Sequence, residues 1–171
     1  MNRSTLIFPA LIAVAVAVLA SMFIVDEREN VLVLQFGQVQ QVRTEPGLYF
    51  RIPLIQEVVR YDARILGLQS EPVEITPSDD RRLVVDAFVR WRIINVTQFR
   101  QAVGIEGVRA AQVRIERITN AAIRAVLGSV PSGAVLSEDR TPLMNQIRDV
   151  ARREAASLGV DVIDVRLTRT D

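Results

Sequence analysis

"RLVVDAFVRWRII", residues 82–94, is the stretch whose reading decides the fold class. Leu83, Val85, Ala87, Val89, Trp91 and Ile93 fall on one side of an extended chain. Arg82, Asp86, Arg90 and Arg92 fall on the other, with Val84 and Phe88 between them. Successive strand side chains point to opposite faces, so this period of two predicts a strand with one buried face and one largely wet face. The alternating charges of the wet face predict weak, solvated ion pairs rather than a reactive site.

Working outward, "VLVLQFGQVQQV" (31–42) reads as two short strands, Val31 to Phe36 and Val39 to Val42, turning at Gly37-Gln38. "PGLYFRIP" (46–53) is a third extended piece ended by Pro53, and "EVVRYDARI" (57–65) continues extended. The polar "TPSDDRR" (76–82) predicts a solvated turn; its adjacent Asp79 and Asp80 also suit a cation, the weaker alternative. Beyond the deciding strand the period changes. Ala111, Ile115, Ile118, Ala122 and Ala125 mark one stripe of a helix over Val108 to Leu127. A second helix is predicted to begin at Ser137 or Thr141 and to end at Leu158 before Gly159, and "VDVIDVRLTR" (160–169) returns as a strand. Strands, two helices and a closing strand predict an α+β layout with helices against one antiparallel sheet.

The composition narrows the chemistry. Among 171 residues there is no Cys, no His and no Lys, so every base is Arg. A Ser–His, Cys–His or Ser–Lys arrangement therefore cannot be assembled. Zinc sites draw on His or Cys, and a GxxxxGK phosphate loop needs its lysine. The chain is read as no enzyme, with no catalytic residue, no cofactor and no metal. Lys+Arg at 21 against Asp+Glu at 20 provides no global field for nucleic acid.

"LIFPALIAVAVAVLASMFIV", Leu6 to Val25, carries no charge. At about 1.5 Å per helical residue it matches a hydrocarbon core of about 30 Å. A cleaved leader has an apolar region of only about 7–15 residues, so an uncleaved transmembrane helix is expected. The expected organisation is an anchor over residues 1–25 and a folded domain over 26–171. Arg3 before the span and "DEREN" (26–30) after it favour a cytoplasmic N-terminus by the positive-inside rule.

"ERENVLVLQFGQV", "EPGLYFRIPLIQEVVRYDARI", "LVVDAFVRWRI" and "GVDVIDVRLTR" occur in an order and spacing that resemble the SPFH, or band 7, superfamily of stomatins, prohibitins and flotillins. "DARI" with "VDAFVRWRI" is most similar to the bacterial branch formed by HflC and HflK. The resemblance implies an SPFH domain behind a single anchor in the bacterial inner membrane, with the domain on the periplasmic side. It implies assembly with HflK in a ring that encloses the FtsH protease and limits substrate access; a stomatin-like scaffold organising lipid is the alternative. It also implies a coiled-coil continuation past Asp171, so the chain is expected to be part of a longer protein. Finally, it implies a first subdomain lying against lipid. Leu48, Tyr49, Phe50, Ile52, Leu54 and Ile55 are the candidate membrane-facing residues, Tyr49 at the interface. From the residues alone, packing of this strand into the core is the other reading, and the two stay open.

Overall fold

A computed structural model describes residues 12, 15, 16, 18–137 and 139–170. The chain divides into two compact units, 1–63 and 64–171.

In the first unit, β1 (Met22–Val25) pairs antiparallel with β4 (Gly47–Phe50) as a two-stranded ribbon. β2 (Glu29–Gln35) is the centre of a three-stranded sheet between β3 (Gln38–Arg43) and β5 (Gln56–Asp62). Phe23 and Val25 of the ribbon pack with Val31 and Val33 of β2, and Tyr49 and Val58 close the cluster. The β2–β3 turn lies one residue earlier than expected. Gln35 pairs with Gln38, and the central residues Phe36 and Gly37 have φ of 51° and 80°. Two positive φ values match the twist of a tight hairpin, and Gly37 allows one of them without strain.

Met22–Val25 corrects the anchor reading. These four residues end no helix; they form a strand paired along one edge with β4. Ile12, Ala15, Val16 and residues 18–21 are helical and mostly exposed, and the rest of the expected Leu6–Val25 span lies outside the described residues. Among the described residues, no helix is long and apolar enough to cross a membrane.

In the second unit, β8 (Leu83–Ile93) is the central strand, and its whole expected inner face is buried. β6 (Leu66–Gln69) and β7 (Val73–Ile75) take successive stretches of one edge, and β9 (Val160–Thr170) takes the other. Among the described residues the expected single sheet is thus three sheets, of two, three and four strands. On the wet face Arg92 reaches across to Asp161 of β9 (3.6 Å), which Arg152 also holds at 2.7 Å.

The α-helices described in the second unit are α1 (Val96–Val103), α2 (Val108–Leu127), the single turn α3 (Ser132–Val135) and α4 (Thr141–Ala155). α2 has the expected bounds, but its buried stripe runs Ala111, Ile115, Thr119, Ala122 and Val126, leaving Ala125 exposed. Both stripes step by threes and fours and fit the 3.6-residue period; which one is buried depends on how the helix is rotated against its neighbours. α4 starts at Thr141 with Pro142 in its first turn, while the Ser137 hydroxyl instead donates to the Ala134 and Asp139 carbonyls. A 3-10 turn (Ala156–Leu158) follows, and Gly159, at φ 72°, ends it. The Gly159 carbonyl accepts the amides of Ile94 and Asn95, and an added Cβ would lie 2.6 Å from the Asn95 oxygen. Only glycine fits there.

α1 had no counterpart in the expected helices. Asn95 caps it by accepting the Gln98 amide, and the Gln98 side chain donates to the Ala156 and Ser157 carbonyls. Its Phe99 lies stacked on Trp91, ring centroids 6.5 Å apart, in a core that includes Ile115, Ile123, Leu127 and Ile147.

Asp79 lies in the expected exposed turn and is also tied to the fold. Its carboxylate accepts the Ser132 hydroxyl and the Ser132 amide, tying the β7–β8 turn to α3. Among the described residues no cluster of carboxylates is arranged to hold a metal.

Candidate functional site

The ribbon of β1 and β4 has two apolar faces and only one core to bury them in. Its register sets Met22 opposite Phe50, Phe23 opposite Tyr49 and Ile24 opposite Leu48. Alternation therefore sends Phe23, Val25 and Tyr49 inward and Met22, Ile24, Leu48 and Phe50 outward. Phe23 and Val25 are buried, whereas Ile24 is 67% exposed, Leu48 51% and Phe50 62%. Full burial of such a side chain is worth about 1.5–3 kcal/mol, and the outer face realises little of that within the chain.

A turn extends this surface. The Ile52 amide donates to Gln56 Oε1 (2.8 Å), and the Gln56 amide donates back to the Ile52 carbonyl (3.0 Å). That reciprocal pair closes a loop on which Leu54, with φ 70°, is fully exposed beside the half-exposed Ile52 and Ile55. Leu54 and Ile55 line one shallow groove together with Phe36, which is itself 85% exposed. An exposed Phe in a hairpin turn, where Asn or Asp is usual, belongs to the same apolar surface.

Of the expected membrane-facing residues, Leu48, Phe50, Ile52, Leu54 and Ile55 are exposed and absent from the core. Tyr49 departs from that expectation. Its ring lies inward, 5.9 Å from the ring of Phe23, with Arg43 over its face at 4.8 Å. Its hydroxyl donates to the Glu45 carbonyl. One position along a strand reverses the face, and Tyr49 is the odd position between Leu48 and Phe50.

The sequence reading missed Met22, Ile24 and Phe36. In "MFIV" every residue is apolar, so no period of two was visible there, whereas the unusual Phe36-Gly37 turn was a readable signal. It missed Arg51 as well, which lines both the Phe36–Leu54 groove and a groove formed by Leu19, Met22, Ile24, Leu48 and Arg60.

The sequence pattern of the SPFH domain / Band 7 family matches residues 23–171, starting within β1 and taking in both compact units. The chain belongs to this family. Its SPFH domain is similar to the protein HflC of Haemophilus influenzae, 29% identical over 94% of this chain and 58% of the relative. It is also similar to HflC of Vibrio cholerae serotype O1, 28% identical over 96% of this chain and 61% of the relative. A third relative, the "Modulator of FtsH protease HflC" of Escherichia coli K12, is 28% identical over 85% of this chain and 46% of its own length. The chain thus spans about half the length of the curated relatives it matches.

Proposed function

We propose that this chain is the membrane-proximal part of an HflC-like subunit that modulates the FtsH protease by binding. One observation carries the reading: an apolar face, Met22, Ile24, Leu48 and Phe50, is left open on an ordered ribbon. Its similarity to proteins named HflC, one of them a modulator of FtsH protease, supplies the partner. The residues before β1 anchor the chain in the bacterial inner membrane, the N-terminus on the cytoplasmic side. The SPFH domain, residues 26–171 with β1 as its entry, stands on the periplasmic side.

The exposed face of the ribbon and the Pro53–Ile55 turn rest in the adjacent leaflet. Depth is limited by the backbone. The ribbon is open at its outer edges, and unpaired N–H and C=O groups are not tolerated in hydrocarbon. Side chains enter the lipid while the ribbon backbone stays at the headgroup level. With no His, Cys or Lys to build a hydrolytic centre, the subunit acts without catalysis, joining HflK in a ring that encloses FtsH and limits substrate access.

The full-length protein, tagged and extracted from its own membranes in mild detergent, is expected to bring down HflK and FtsH. Its deletion is expected to change turnover of FtsH's membrane substrates severalfold without abolishing FtsH activity. Recovery of lipid alone, with neither protein, would favour a stomatin-like scaffold instead.

A further inference from the structure

Arg51 directly follows Phe50, and its backbone amide donates to the Ser21 carbonyl at 2.8 Å, which places its side chain beside the ribbon. Its Nε is buried without an acceptor, and no carboxylate pairs with its guanidinium among the described residues. Arg60, on the same groove, differs: Glu29 holds it at 2.8 Å. Glu57 lines the second groove but makes no ion pair with Arg51. A buried guanidinium N–H without an acceptor loses a charge-assisted hydrogen bond and still bears the cost of desolvation. The terminal nitrogens are not among the buried atoms and have no acceptor among the described residues, so a ligand from outside the chain meets the guanidinium there.

The chemistry of the surroundings narrows what that ligand is. Arg51 is the polar residue shared by two grooves whose other walls are mainly apolar: Met22, Ile24 and Leu48 on one side, Phe36, Leu54 and Ile55 on the other. The ligand therefore joins an anion to a large apolar body within one molecule. The planar guanidinium fork matches phosphate oxygens in a bidentate manner. The uncharged sequence over residues 6–21 runs directly into β1 of the ribbon, which brings this site to the level where lipid headgroups begin if that sequence lies in the membrane. We propose that Arg51 is a headgroup site, taking the phosphate of an anionic phospholipid whose acyl chains lie against the outer face of the ribbon. This rests on the lipid-facing reading of the ribbon and adds to it a selectivity, one uncompensated positive charge favouring anionic over zwitterionic lipid.

The test uses the full chain in phosphatidylcholine vesicles with traces of spin-labelled phosphatidylglycerol or spin-labelled phosphatidylcholine. The fraction of each label immobilised by protein is read by electron paramagnetic resonance. Phosphatidylglycerol is expected to be preferred about fivefold, the factor for one basic side chain at a lipid surface. Arg51→Gln keeps the backbone bond to Ser21 and should lose most of this preference, whereas Arg60→Gln should retain it. Equal immobilisation of the two lipids by the wild-type chain overturns the proposal even if a variant misfolds. An undiminished preference in Arg51→Gln overturns it too, and so does its abolition by millimolar inorganic phosphate, which marks a free-phosphate site. Because the chain has no Cys, a nitroxide on Ile52→Cys separates the two readings. A label in water sinks the lipid-facing ribbon and the headgroup site together; a label in lipid with no headgroup preference sinks only the latter.

Discussion

Asp79 shows how a single side chain links distant parts of the chain. The Ser132 hydroxyl, above all, holds its carboxyl below the usual carboxylate range; partial desolvation opposes this, and the Ser132 amide and Arg81 add to the lowering. A carboxyl whose pKa is depressed by folding contributes stability above its unfolded value of about 3.9 and loses it as pH falls through the folded value. The wild-type chain should therefore lose stability over the acid interval below about pH 4 more steeply than Asp79→Asn, whose amide does not titrate. Urea midpoints measured across that interval check the sign, and parallel slopes would show that the bond to Ser132 carries no pH dependence. The paired carboxylates of "TPSDDRR" looked equivalent in the sequence. Only Asp79 finds a partner across 53 residues, while Asp80 turns the chain at φ 57°.

At the scale of the element, the ribbon separates neighbouring residues by face. Phe23, at 8% exposure, belongs to the core cluster, and Phe50 does not. In a chain trimmed to begin at residue 21, Phe50→Asp should leave the circular dichroism spectrum unchanged and reduce liposome flotation about tenfold or more, following the apolar burial it forfeits. Phe23→Asp should instead unfold the first unit, because an unpaired carboxylate there costs several kcal/mol to bury. Loss of structure in Phe50→Asp would place the outer face in a core after all. Helix ends follow the same logic of local satisfaction. α4 begins where Pro142 has no amide to leave unpaired and gives way to a 3-10 turn where Gly159 accepts a left-handed backbone.

At the scale of the whole molecule, each unit has its own core, and the chain's sole Trp reports on one of them. Trp91 is fully buried against Phe99 in the second unit. Its emission should be blue-shifted in the folded chain and should red-shift in urea with a midpoint unaffected by Phe23→Asp, which acts in the first unit. A matching drop in that midpoint would mean that the two units unfold as one. The match to the SPFH domain / Band 7 family takes in both units.

The sequence by itself determined the elements whose patterns are regular over many residues. The buried face of β8, the bounds of α2 and the stop at Gly159 were all legible, because period and cap chemistry are local properties. So was the family, from four motifs in order. Faces set by partners far along the chain were not legible. Met22–Val25 is uniformly apolar and reads as the end of a span; pairing with Gly47–Phe50 made it a strand and sorted its side chains into core and surface. The same pairing turned Tyr49 inward and left Leu48 and Phe50 outside. Arg51 became notable only when folding set it between two mainly apolar grooves, with no ion pair to a carboxylate among the described residues. Composition and period state what a residue prefers, but which preferences go unmet depends on contacts that only the tertiary structure makes.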